Sequence, residues 1–200
     1  MKKSTFLFIA LFTVSAVFAQ SFKAQFKSAN KTWLGIDYTA AKFIGSEGFN
    51  APTELPGFAY KWNQFVFSEA DKYNLKKAFY SQNVTINLEQ VNERNAKIDG
   101  PGNVQETDYT MSEEEAQKIA LSYDFSELEG VAIMLVTESY NKLSQKGTYW
   151  LVIVDVATKE VIYTKKYVCK AGGFGFKNYW ARTFYEALND IEDDMKRALK

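Results

Sequence analysis

Apolar residues recur along this chain with two different periods, and the switches between them mark its elements. Between Lys31 and Ile44, Leu34, Ile36 and Tyr38 alternate with Trp33, Gly35 and Asp37, the two-residue period of a strand. Gly45-Ser46-Glu47-Gly48, followed by Pro52 and Pro56, then signals a loop. Over Phe58–Phe79 the spacing lengthens to three and four. Phe58, Trp62, Phe65, Val66, Ala70 and Tyr73 fall on one helical face with Glu69 as the one acid among them, while Lys61, Asn63, Gln64, Ser68, Asp71 and Lys72 fall on the other.

Val84–Val91 returns to alternation and predicts a short strand, and Asn95–Asp108, with Gly100-Pro101-Gly102, predicts a turn-rich excursion. Thr110 or Ser112 is placed to cap a helix whose first turn carries Glu113, Glu114 and Glu115, where negative charge suits the positive end of the helix. Gly130–Leu143 opens on the unbroken apolar run Val131–Val136, which predicts an inner strand covered on both faces. Gly147–Asp155 and Val161–Val168 follow at the spacing of an antiparallel hairpin. After Ala171–Gly175 breaks the pattern, a last helix over Lys177–Leu199 carries Trp180, Phe184, Ala187, Leu188, Ile191, Met195 and Ala198 along one stripe.

This order predicts an α/β (α+β) fold: a single domain over 31–200, with a mixed sheet of about five strands and three helices packed mainly on one face. Residues 20–30 read as a flexible N-terminal arm.

The front of the chain has a different character. Lys2 and Lys3, an apolar run over Phe6–Ala19, and Val17-Phe18-Ala19 before Gln20 have the three parts of a secretory signal peptide. The run is shorter than a membrane-spanning helix and is interrupted by Thr13 and Ser15, so cleavage near Ala19 and a periplasmic or secreted location are expected, with no transmembrane segment in the mature chain. Losing Lys2 and Lys3 lowers the basic count from 24 to 22 against 24 acids. A slightly acidic chain without clustered Lys or Arg does not have the electrostatics of a nucleic-acid binder.

Histidine is absent and Cys169 is the only cysteine. The commonest general base and metal ligand are therefore missing, as is any intramolecular disulfide. No metal or cofactor is expected, and Cys169, with no histidine to activate it, reads as a small buried hydrophobe.

Four groups remain as candidate chemistry. Gly172-Gly173-Phe174-Gly175-Phe176 precedes a helix and could hold an anion on free backbone N–H groups, but it lacks the Gly-Lys-Ser/Thr ending of a phosphate loop. The plainer reading is a tight turn with Phe174 and Phe176 plugged into the core. Asn178, Tyr179 and Arg182 open the last helix and are candidate ligand- or partner-binding residues; the structural alternative has Asn178 capping the helix and Arg182 paired with Glu186. Asp37, an acid within a strand, is a further binding candidate and would serve hydrolysis if it met a second carboxylate such as Asp155 or Asp124. Asp190, Glu192, Asp193 and Asp194 read as a solvated face balanced by Lys196, Arg197 and Lys200.

Three blocks, Trp33–Lys42, Asp155–Val161 and Lys170-Ala171-Gly172-Gly173-Phe174-Gly175-Phe176-Lys177-Asn178-Tyr179-Trp180-Ala181, resemble an uncharacterised family of secreted Bacteroidetes-type proteins. The resemblance implies export and no particular activity, and it supplies no catalytic residues. Export, balanced charge, the missing histidine and a 16% aromatic content together point to a non-enzymatic binding domain of the cell envelope. Its expected partner is an envelope protein or a cell-wall component. The alternatives are a carboxylate-dependent glycan hydrolase using Asp37, and a small-molecule carrier with an apolar pocket of about 300 Å³ or more.

Overall fold

The computed structural model describes residues 22–200. The signal segment and residues 20 and 21 lie outside the described residues. One sheet of seven strands organises the rest, with β5 (Val131–Asn141) as its axis. Along one edge, β5 pairs antiparallel with β6 (Lys146–Asp155), which in turn pairs antiparallel with β7 (Glu160–Lys170). Along the other edge two strands lie end to end, both parallel to β5. β1 (Lys31–Asp37) pairs with Val131–Val136, and β2 (Lys42–Ile44) pairs with Ser139–Asn141. The two-residue strands β3 (Thr85–Ile86) and β4 (Val104–Gln105) add to β1 and β2 in the same direction. The sheet is mixed, as the sequence predicts, and five strands wide, but it contains seven strands because the predicted first strand is broken at residues 38–41 and one unpredicted short edge strand, β4, joins it.

The helical content is also richer than three. From residue 55 onward seven helices occur: α2 (Leu55–Asn63), α3 (Phe65–Ser68), α4 (Leu75–Ala78), α5 (Glu89–Asn95), α6 (Gly100–Asn103), α7 (Glu113–Leu121) and α8 (Phe176–Ala198). The single helix predicted over 58–79 is cut after Ser68, where Glu69 leaves helical geometry at φ −134° and ψ 47°. It restarts at α4, where the Asn74 side chain accepts a bond from Lys77 N–H. The predicted strand over 84–91 survives as β3 alone, and Glu89 onward is α5. Ser112 caps α7 in a reciprocal box with Glu115, as its spacing indicates. The flexible arm needs correction too. Residues 22–28 form a helix, α1, with Phe22 and Phe26 buried one turn apart and the Phe22 ring 5.1 Å from that of Tyr163 on β7.

Helices cover both faces rather than mainly one. Tyr149 of β6 meets Thr183 of α8 at 2.5 Å, whereas Thr164 of β7, whose cross-strand partner is Val152, bonds Gln117 of α7 at 3.0 Å. Side chains alternate along a strand, so α8 and α7 lie on opposite faces of the sheet. That is why β5 is apolar without interruption at its start: every residue from Val131 to Tyr140 is buried.

Two buried polar devices complete the core. Tyr38 Oη lies 2.9 Å from Tyr140 Oη, which lies 2.7 Å from Tyr149 Oη. The series ends through Thr183, whose hydroxyl donates to the Trp180 carbonyl. This last bond fixes the direction of donation along the whole series, so each hydroxyl donates to the next. The second device caps the outer edge of β1 beyond β3. Asn63 of α2 accepts from Ile36 N–H and donates to the Ile36 carbonyl, while Asn95 of α5 accepts from Tyr38 N–H. Asn63, expected on the polar face of its helix, is fully buried for this reason. Gly35 makes the approach feasible: a Cβ there would come within 2.7 Å of Asn63 Oδ1 and of Val91 Cγ1.

Candidate binding surface

Asp37 ends β1 with its side chain on the α7 face, the same side as its neighbour Val136 and opposite to α8. It is 1% exposed, and its oxygens are already engaged. Tyr123 Oη donates to Oδ2 at 2.7 Å, Thr39 N–H and hydroxyl donate to Oδ1, and Arg94 Nε stands 3.2 Å from Oδ2. The Arg94 contact is ionic: its N–H does not align on the oxygen and makes no hydrogen bond. The guanidinium also lies 4.3 Å above the Tyr123 ring. Asp37 thus ties the end of β1 to α5 and to the segment after α7.

Neither acid suggested by the sequence joins it. Asp155 pairs with Val131 at the opposite end of the sheet and holds the hairpin turn through Ala157 and Thr158 N–H. Those turn bonds, the one from Thr158 foremost, hold its carboxyl below the ordinary value. Asp124 accepts from Ser126 N–H and hydroxyl in its own exposed turn. The nearest acid along the same face of β5 is Glu138, the extra residue of a bulge, and it too is consumed internally: by Lys166 at 2.6 Å, by Met111 N–H and by the Trp150 indole.

The other three candidates share the first turns of α8 and do not meet Asp37. Gly175, at φ 78°, occupies the helix N-cap position, so Asn178 is exposed within the helix and does not cap it. Tyr179 is half-buried beneath Lys142, whose ammonium lies 4.2 Å from the ring centre. Arg182 pairs with Glu186 at 2.5 Å, the i,i+4 pairing its spacing suggests. In the preceding turn only one phenylalanine enters the core. Phe176 packs 4.6 Å from Phe58, whereas Phe174 is 96% exposed.

Arg182 lines an open groove beside α8. Helix α8 runs back along β7, and a groove of about 410 Å³ separates them. Val168, Cys169 and Lys170 of β7 form one wall; Arg182, Glu186 and Asp190, one helical stripe, form the other. Cys169 is 2% exposed, and burial together with the Asp190 and Glu186 charges pushes its thiol up to about 12. A thiol so far from ionisation is a wall of the groove and not a nucleophile. Further along, Asp194 is buried rather than solvated. Lys165 reaches it at 2.5 Å, Tyr167 Oη at 2.8 Å, and Arg197 also pairs with it. Burial raises its carboxyl, but these three bonds outweigh it and leave the group below its ordinary value.

The outer edge of β7 carries no strand partner among the described residues. Ala171 N–H is spent on Gln145 carbonyl, which continues the β6 ladder. Alternation from that bond leaves the N–H and C=O of Val168 and Lys170 pointing outward. Val168 is also 54% exposed.

A larger cavity, about 840 Å³, opens at the other end of the sheet among Lys31, Thr32, Tyr80, Asn83, Glu129 and Lys196. Among the described residues, no cluster of His, Cys, Asp and Glu has the makings of a metal site, and no helix is long and apolar enough to cross a membrane. No protein-family model matches the sequence, and no curated protein matches it.

Proposed function

We propose that this protein is an exported, non-enzymatic binding domain of the cell envelope, and that it engages its partner along the edge of β7. The observation that carries this reading is the state of the edge. Natural edge strands are guarded by lysines that repel an incoming strand. Of the three lysines on β7, Lys165 and Lys166 are drawn onto Asp194 and Glu138, one on each face, while Lys170 stays exposed at the end of the strand; the outward backbone at Val168 stands beside an open groove. The acids that would serve hydrolysis, Asp37 and Glu138, are saturated by internal donors, which favours binding over turnover. The signal segment and the resemblance to secreted Bacteroidetes-type proteins support export.

Photo-crosslinking from defined positions in envelope extract tests the reading. A photoreactive side chain at position 168 is expected to form a discrete covalent adduct, and one at Leu143, exposed in the turn between β5 and β6, is expected to form none. Equal labelling from both positions, or none from 168 with folded bait, overturns it. A small-molecule carrier is the second reading, favoured by the 840 Å³ cavity, which falls within the size range of ligand sites. Its lining mixes charged residues with Phe26, Leu128 and Leu199, unlike the mostly apolar pocket such a role usually needs.

A further inference from the structure

We infer that the groove between β7 and α8 receives an extended peptide that adds as a strand beyond β7, with a lysine or arginine over Asp190 beside a β-branched apolar residue over Val168. This inference rests on the binding role proposed above and specifies the partner's chemistry.

Strand addition follows from the backbone. An incoming segment meets outward N–H and C=O groups at Val168 and Lys170, and main-chain bonds of this kind supply affinity whatever the side chains. Specificity then comes from alternate side chains, which fall on opposite faces. The residue set opposite Cys169 points toward α8, into the 410 Å³ groove. The residues flanking it point the other way, and one of them covers the exposed Val168.

The acidic wall selects the residue that enters. Three acids follow one another along this side of α8, and two are neutralised: Glu186 by Arg182, and Asp194 by Lys165 and Arg197. Asp190 between them makes no ion pair and no hydrogen bond among the described residues. Burial, then Glu186, Asp194 and Asp193, hold its carboxyl above the ordinary value, which is the behaviour of a carboxylate that lacks a cation. A long basic side chain delivered by the added strand supplies that cation.

A second copy of this chain does not fit as well. Antiparallel pairing about a two-fold axis normal to the sheet must centre on a residue, because faces are preserved. Centres at Lys165 or Lys166 bring like charges face to face. The only lysine β7 presents on the α8 face within the ladder from Tyr163 to Cys169 is Lys165, already bound to Asp194.

The test titrates the full mature chain with the fluorescent hexapeptide Thr-Val-Lys-Val-Thr-Val, blocked at both ends, and with versions carrying norleucine or glutamate in place of its lysine. The lysine peptide is expected to bind at least about tenfold more tightly than the norleucine one, with glutamate weakest. Asp190→Lys should reverse the order of the charged peptides. Val168→Pro removes only an outward N–H and no ladder bond, so it should abolish binding of every peptide while the circular dichroism stays unchanged. N-methylation of alternate peptide residues on the wild-type protein gives the same reading independently of variant folding, with one parity blocking and the other tolerated. Equal binding of the three peptides, abolished by Val168→Pro, overturns the charge assignment and leaves the edge reading intact. No binding of any peptide at millimolar concentration overturns the inference, and the crosslinking from position 168 then decides the edge reading by itself.

Discussion

At the scale of single residues, the buried hydroxyls of Tyr38, Tyr140, Tyr149 and Thr183 form one series in which each donor has an acceptor, and the order of donation makes their loss unequal. Thr183 donates to Trp180 carbonyl, so Tyr149 donates to Thr183, Tyr140 to Tyr149 and Tyr38 to Tyr140. Removing the Tyr140 hydroxyl strands the Tyr38 donor in a fully buried site, and burial already pushes the Tyr140 hydroxyl up to about 12. Tyr140→Phe is therefore expected to cost about 1–3 kcal/mol in urea unfolding. Tyr38 only begins the series, so Tyr38→Phe should cost less than about 1 kcal/mol. Equal losses would mean that the series does not run in this direction. The sequence showed three tyrosines within strand patterns and gave no sign that they would meet, because Tyr38 and Tyr140 stand 102 positions apart.

At the scale of elements, α8 is attached to the sheet by an apolar stripe and by one charged point. The stripe from Trp180 to Met195 was readable from spacing alone, and all six of those positions are buried. The charged point was not readable, because Asp194 looks like part of an acidic surface run until Lys165 and Tyr167 arrive from β7. Asp194→Asn is expected to lower stability at pH 7 by about 1–2 kcal/mol; the figure is held below that of a buried pair because Lys165 and Arg197 remain substantially exposed. The folded-state carboxyl sits below its ordinary value, so its contribution is present at neutral pH and disappears as pH falls through that value. Thermal unfolding of the two proteins should therefore converge as the pH is taken below the ordinary carboxylate range. A gap that persists unchanged at acid pH would assign the effect to packing instead.

Over the whole molecule, stability is expected to be graded from the sheet axis outward. β5 and β6 are sandwiched between α7 and α8, while β3 and β4 are two residues long and lie at the rim. Native-state amide exchange should be slower in β5 and β6 than in β3 and β4 by roughly 100-fold or more. Similar rates would contradict a single core centred on β5. The same layout explains the division of candidate residues. Asp37 and the α8 residues sit on opposite faces, so the four positions singled out in the sequence form no common site, and Arg182 alone among them lines the groove beside β7.

What the sequence determined by itself is what repeats locally: the long strands β5 to β7 and their hairpin, the capping box of α7, and the buried stripe of α8. Each rests on a period or a spacing within a dozen residues, which the chain displays before it folds. What only the tertiary structure decided is where polar groups end up, because their partners come from distant segments. Asn63 is buried against β1 instead of lying in water, Asp37 is spent on Arg94 and Tyr123, and Lys165 and Lys166 leave the β7 edge for acids on opposite faces. Hydrophobic burial follows pattern, whereas the fate of a charge depends on which opposite charge the fold brings within a few ångströms.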